Sequence, residues 1–126
     1  MKCIHSEHAP KAVGPYSQAV EHQGLLYTSG QIGLIPETGV MIADNVEAQT
    51  EQVTRNLSAV LQAAEATTDD ILKVTIFLTD MADFPKVNTI YAAWLGAHRP
   101  ARATVAVAAL PLGAKVEMDV TARLTR

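Results

Sequence analysis

The sequence predicts an α+β domain in which two helices pack on one face of a mixed β-sheet, and three observations carry that expectation. Residues 71–79, Ile-Leu-Lys-Val-Thr-Ile-Phe-Leu-Thr, are rich in β-branched and aromatic side chains, as a central strand would be. Residues 46–64 repeat apolar side chains at spacings of three, four and seven, the period of a helix with one buried face. In chain order the elements run strand, strand, helix, strand, helix, strand, strand, which suits one sheet covered on one side.

At 126 residues, the chain is read as a single domain over 1–126 that removes about two thirds of its unfolded surface from water on folding. Its 48% hydrophobic and 18% charged residues exclude a disordered chain. A net charge of -3, with scattered basic residues, argues against nucleic acid as a partner. A single cysteine, Cys3, permits no intrachain disulfide. No signal-peptide run opens the chain and no eighteen apolar residues follow one another, so neither a membrane nor export is expected and the chain is placed in the cytoplasm.

The first segment, Ala9 to Tyr16, carries two prolines and a glycine and reads as an ordered loop. Tyr16 follows Gly14-Pro15, so it is either aimed by that turn or packed onto the core. Residues 17–21 and 25–29 flank His22-Gln23-Gly24 as a hairpin. Ser29-Gly30 ends its second strand, where an N–H beside a hydroxyl suits an oxyanion, and where a bulge is an equal alternative.

Asp44-Asn45-Val46-Glu47 supplies a helix start, and Val46, Val53, Leu57, Val60, Leu61 and Ala64 form its buried stripe. The polar residues of this helix are read as a solvated face. The strand at 71–79 should send Leu72, Val74, Ile76 and Leu78 one way. Asp83 and Pro85 then open a second helix with Phe84, Val87, Tyr91, Trp94 and Leu95 buried, stopped by Gly96 and Pro100. Asn88 lies inside it, where asparagine costs propensity relative to alanine.

The last strands, 102–110 and 115–124, flank Pro111-Leu112-Gly113-Ala114, a length suited to a hairpin. Alternation puts Arg102, Thr104 and Ala106 on one face of the first, and Glu117 and Asp119 on the polar side of the second. A guanidinium fixed in an apolar strand suits a carboxylate, which its planar fork binds through two parallel hydrogen bonds. Arg102, Thr104, Glu117, Asp119 and Thr75 are grouped on the uncovered face, and an exposed polar sheet face with apolar neighbours points to a closed oligomer. A regular final hairpin would leave Glu117 about 20 Å along from Arg102, so a shared site calls for a bulge, another strand order or a neighbouring subunit. His5, His8, His22 and His98 have no metal-ligand spacing.

Five segments, Gly14-Pro15-Tyr16-Ser17-Gln18-Ala19, Ser29-Gly30-Gln31-Ile32, Val87-Asn88-Thr89-Ile90-Tyr91, Pro100-Ala101-Arg102-Ala103-Thr104 and Val116-Glu117-Met118, resemble in order and spacing the recurring segments of the Rid (YjgF) family of enamine/imine deaminases, often labelled endoribonuclease L-PSP. The resemblance implies a chorismate-mutase-like fold, a homotrimer with sites between subunits and no cofactor. It implies hydrolysis of reactive 2-enamines and 2-imines, such as 2-aminoacrylate and 2-iminopropionate, to 2-keto acids and ammonia. It further implies that Arg102 binds the substrate carboxylate, that Glu117 positions or activates water, and that Tyr16, Ser29, Gly30, Asn88 and Thr104 contact substrate. Thr104 departs from the cysteine of well-known deaminase members and puts substrate preference in question, though its hydroxyl still donates one hydrogen bond. A noncatalytic sensor of small keto or amino acids is the main alternative, and a ribonuclease or translation inhibitor a weaker one.

Overall fold

The computed structural model describes residues 1–125. Its core is one six-stranded sheet built from β1 (Lys2–Ile4), β2 (Ala19–His22), β3 (Leu25–Thr28), β4 (Ile71–Leu78), β5 (Ala101–Ala106) and β6 (Val116–Arg123), in the order β1-β2-β3-β6-β4-β5. Helices α1 (Val46–Ala63) and α2 (Phe84–Leu95) cover one face. The expected α+β arrangement is therefore present, with β1 as a strand the sequence reading did not include.

The β2–β3 hairpin follows from Gln23 and Gly24, both at positive φ (52° and 79°), the pair of left-handed conformations that a tight two-residue turn requires. Helix α1 starts where the Asn45 side chain accepts a hydrogen bond from the Ala48 N–H at 2.9 Å, satisfying one orphan donor. All six residues of its expected apolar stripe are buried. In α2, Val87, Tyr91 and Leu95 are buried and Phe84 and Trp94 pack against the core. Asp83 stands at the expected N-cap position without a capping hydrogen bond. It is Asp80, three residues earlier, that caps the preceding 3-10 turn by accepting from the Ala82 N–H at 3.0 Å.

Four expectations need correction. First, β5 and β6 do not form a hairpin: β4 lies between them, parallel to β5 and antiparallel to β6. Residues 107–115 arch over the end of β4, held by Val107 N–H to Leu78 O at 2.8 Å and Thr79 N–H to Lys115 O at 3.3 Å. Satisfying both edges of the most apolar strand outweighs a local turn. Second, Leu72 is exposed and Ile71 is buried in its place, because a register shift between Ile71 and Lys73 moves the phase of β4 by one residue.

Third, Arg102 and Thr104 do not share a face with Glu117 and Asp119. Arg102 is paired with Val74 and Thr104 with Ile76, both core-facing, whereas Glu117 is paired with Phe77 and Asp119 with Thr75 on the uncovered side. Fourth, the polar residues of α1 are only in part a solvated face: Glu47, Glu51, Arg55 and Gln62 are exposed, but five others are not. Gln49, Thr50, Gln52, Thr54 and Asn56 are all buried. Asn56 donates to the carbonyls of Ile32 (3.3 Å) and Leu34 (3.0 Å), and Gln49 donates to Ala43 O and accepts from Lys115 N–H, each at 2.8 Å. Buried amides are stable only when paired, and here they clamp the loop after β3 and the approach to β6.

Candidate active site

Glu117 sits in β6 beside an irregularity that the clamped loop creates. Tyr27 pairs with Thr121 and Gln31 with Met118, so one extra residue bulges from the Thr28–Gly30 side. Val120 N–H is satisfied there by Thr28 Oγ1 at 2.9 Å, and Gln31 and Met118 exchange backbone bonds of 2.8 and 3.1 Å. The bulge presses Gly30 against the Glu117 side chain. A Cβ on Gly30 would lie 2.8 Å from Glu117 Cδ and 2.9 Å from Oε2, closer than van der Waals contact allows.

Glu117 is half-buried, and burial raises its carboxyl pKa, helped by the negative charge of Asp119 two residues along the same face. Asp119 is raised likewise by burial, against the opposing pull of Lys73. A proton can therefore be held on this carboxyl at a higher pH than on an exposed glutamate.

Around Glu117 opens a cleft of about 670 Å³ whose walls include Tyr16, Gly30, Gln31, Pro111 and Leu112. Tyr16 is half-exposed at its edge. Its loop is fixed from both sides. Gln18 accepts from Ser6 N–H at 2.6 Å and donates to Pro10 O at 2.8 Å, while Ser29 Oγ donates to Ser17 O at 2.6 Å. The Ser29 hydroxyl proton thus points into the fold, and only its lone pairs remain for a ligand.

Arg102 belongs to a second cleft, of about 450 Å³, lined by Asn88, Tyr91, Ala92, Arg99, Pro100 and Arg102 itself. Its Nη1 donates to Asn88 Oδ1 at 2.7 Å, and its guanidinium carbon lies 5.1 Å from the Phe84 ring centre and 5.0 Å from that of Tyr91. Such cation–π contacts contribute about 0.5–1 kcal/mol each at accessible positions. With Nη1 occupied, the Nε–Nη2 edge keeps the two parallel donors that a carboxylate accepts. The roles of Phe84 and Tyr91 escaped the sequence reading, although 84, 88 and 91 fall on one helix face and would have identified the support for Arg102.

Thr104 lies on the same face as Arg102, and its Oγ1 is buried with no hydrogen-bond partner among the described residues. The seven candidate residues thus fall into two groups on one chain: Arg102, Asn88 and Thr104 on one side of the sheet, and Tyr16, Ser29, Gly30 and Glu117 around the bulge and the opposite face. Three residues along β4 and two strand spacings separate the Cα atoms of Arg102 and Glu117, about 14 Å. Among the described residues, no three His, Cys, Asp or Glu side chains converge on a metal position.

A family model described as endoribonuclease L-PSP matches residues 6–124. The chain belongs to this family, the Rid (YjgF) proteins. It is 50% identical over 121 residues to Reactive Intermediate Deaminase A of Arabidopsis thaliana, covering 96% of this chain and 65% of that longer chloroplastic protein. It is 42% identical to the 2-iminobutanoate/2-iminopropanoate deaminase of Mus musculus, over 96% of this chain and 90% of that one. Among solved structures, E. coli TdcF with bound serine superposes with a TM-score of 0.93 at 37% identity, over 99% of this chain and all of that one. The α+β sheet with its two helices is thus the chorismate-mutase-like fold of the Rid proteins.

Proposed function

We propose that this Rid protein hydrolyses reactive 2-enamines and 2-imines, such as 2-aminoacrylate and 2-iminopropionate, to 2-keto acids and ammonia. The observation that carries this reading is the division of chemistry between two clefts: a fixed guanidinium with a free carboxylate-binding edge in one, and a carboxyl of raised proton affinity in the other. The names of the Arabidopsis and mouse relatives support the same chemistry.

In this mechanism the Nε–Nη2 edge of Arg102 binds the substrate carboxylate and orients the C=N carbon. An enamine first accepts a proton at its terminal carbon from the protonated Glu117 and becomes the iminium form of the imine, leaving Glu117 as the carboxylate. Water then adds to C2, the C=N carbon, and gives one proton to Glu117, so that a neutral tetrahedral carbinolamine forms. Glu117 passes that proton to the amine nitrogen and takes up the hydroxyl proton as the C–N bond breaks, which releases keto acid and ammonia and leaves Glu117 protonated as it began. A C=N bond is already electrophilic, so no protein nucleophile is needed.

Because one chain holds its two groups on opposite sides of a sheet, we place each complete site between copies of the chain, closed as a homotrimer. The exposed apolar residues Tyr27, Leu72 and Val105 and the cleft-edge residues Tyr16 and Leu112 supply surface for such contacts. We place the assembly in the cytoplasm, where a reducing environment suits the exposed Cys3 thiol.

The decisive assay generates 2-aminoacrylate with a serine dehydratase and follows keto-acid appearance. Acceleration over buffer that disappears in Arg102→Ala supports the reading. No acceleration, or full activity in that variant, sinks it, and binding of 2-ketobutyrate without turnover of any imine would make the protein a sensor instead.

A further inference from the structure

The cleft beside Arg102 holds more positive charge than one carboxylate uses. A second guanidinium, Arg99, lines it, and no aspartate or glutamate does. Arg99 Nη1 donates to Gly96 O at 2.7 Å and His98 O at 2.8 Å, which anchors the side chain at the C-terminal end of α2 and leaves its remaining N–H groups uncommitted. Buried between the influence of the two arginines is the Tyr91 hydroxyl, on a residue only 5% exposed and without a hydrogen-bond partner among the described residues.

Two anchored cations, an unsatisfied hydroxyl and no acid from the same chain fit a ligand with two negative groups better than a ligand with one, and the Glu117 that a neighbouring copy would bring is the carboxyl that burial keeps protonated to higher pH. Arg99 and Arg102 are separated only by Pro100 and Ala101, so their Cα atoms lie at most about 11 Å apart, a span two arginine side chains can close onto a short dicarboxylate. Arg99 is exposed, so its share is one of preference between substrates rather than of overall affinity.

We propose that Arg99 is a specificity-determining residue and that the substrate class of this cleft is the 2-imino dicarboxylates, with the α-carboxylate on Arg102 and the distal carboxylate on Arg99. The inference rests on the reading of Arg102 as the α-carboxylate anchor. If Arg99 served only to close the end of α2, its removal would change stability and leave the choice between substrates untouched.

The test compares two acids of equal chain length, 2-oxoglutarate and 2-oxopentanoate, by calorimetry on the full chain. Turnover of the matching imines, made from glutamate and norvaline by a flavin amino-acid oxidase, is measured alongside. The dicarboxylate is expected to win by about fivefold at low salt, a margin that narrows as salt screens the exposed charge. In Arg99→Gln the ratio falls to near one, in Arg99→Lys it is partly restored, and in Arg99→Glu it reverses. Binding of both acids without preference in the native chain, or a ratio unmoved by all three folded variants, overturns this inference alone. Failure to bind either acid, with no imine turned over, overturns the deaminase reading as well.

Discussion

Arg102 and Glu117 leave opposite faces of the same sheet, with β4 between their strands. No rotamer change brings them together on one chain. If each complete site is built from two copies, inactive Arg102→Ala and inactive Glu117→Gln chains should rescue each other when unfolded together and refolded. Random mixing in a closed trimer restores about a quarter of native sites, since each needs one intact arginine and its neighbour's intact glutamate. Absence of any recovery would remove the shared-site assembly.

Glu117 ties stability to pH with a definite sign. Burial, seconded by Asp119, raises its pKa in the folded chain, so the folded state holds this proton more tightly than the unfolded state does. That contribution is complete below the ordinary value of 4.5 and is lost as pH rises through the raised one. Glu117→Gln, a neutral isostere, should therefore melt at a higher temperature than the native chain at neutral pH, with the gain fading as pH falls toward 4.5. A melting difference constant across that range would contradict the assignment. On the kinetic side, kcat/KM for an enamine needs the protonated carboxyl and should fall as pH rises through this raised pKa, whereas an iminium substrate needs the carboxylate and should show an acidic limb above the ordinary glutamate range.

Gly30→Ala tests the close approach at the bulge. Its new Cβ must displace the Glu117 carboxyl, the flexible end of a side chain, so the fold should tolerate the change while kcat drops about tenfold to a hundredfold. Steady-state kinetics alongside thermal melting separates the two effects, and a kcat within twofold of native would mean that the position of Glu117 is not critical.

The rings under Arg102 should matter as rings. Tyr91→Phe keeps the cation–π surface and removes a buried hydroxyl without a partner, so Arg102 should stay in place and stability should hold or rise by up to about 1 kcal/mol. Tyr91→Leu removes the ring, and KM for a monocarboxylic imine should rise about two- to fivefold with little change in kcat. Equal KM values in the two variants would show that the ring does not orient the guanidinium.

Asn56→Ala removes the side-chain donor of the Leu34 carbonyl and the acceptor of the buried Gln52 amide, leaves Ile32 O with only the Leu34 N–H, and should cost about 1–3 kcal/mol by urea denaturation. A loss below about 0.5 kcal/mol would contradict the clamp role of the α1 amides.

Local signals located most of this fold, and its errors arose where partners distant in sequence decide. The α1 stripe, the Gln23-Gly24 turn and the α2 stop at Gly96 depend on neighbours in the chain, and each stands where periodicity and turn chemistry put it. Pro111 to Ala114 has hairpin length, yet Leu112 adopts a positive φ of 56° within a 3-10 turn and the chain crosses β4 instead of reversing. Length alone cannot distinguish those two outcomes. Gln49, Gln52 and Asn56 recur at helical spacing as uncharged amides, a pattern that suits burial against backbone and could have marked them as interior. For the candidate site, residue type put Arg102 forward and the family resemblance put Glu117 forward. The face each occupies depended on strand order, so their separation became visible only in three dimensions.

β6 comes last among the strands in sequence yet lies in the middle of the sheet, joining β3 on one side to β4 on the other. Before it arrives, the β1–β3 meander and the β4–α2–β5 unit have no shared strand to hydrogen-bond. A ribosome making this chain must release residues 116–123 before the two halves can be sealed, so native closure waits on β6. Until then β3 and β4 each present an open edge, and the nascent chain is at its most vulnerable to aggregation just before β6 emerges.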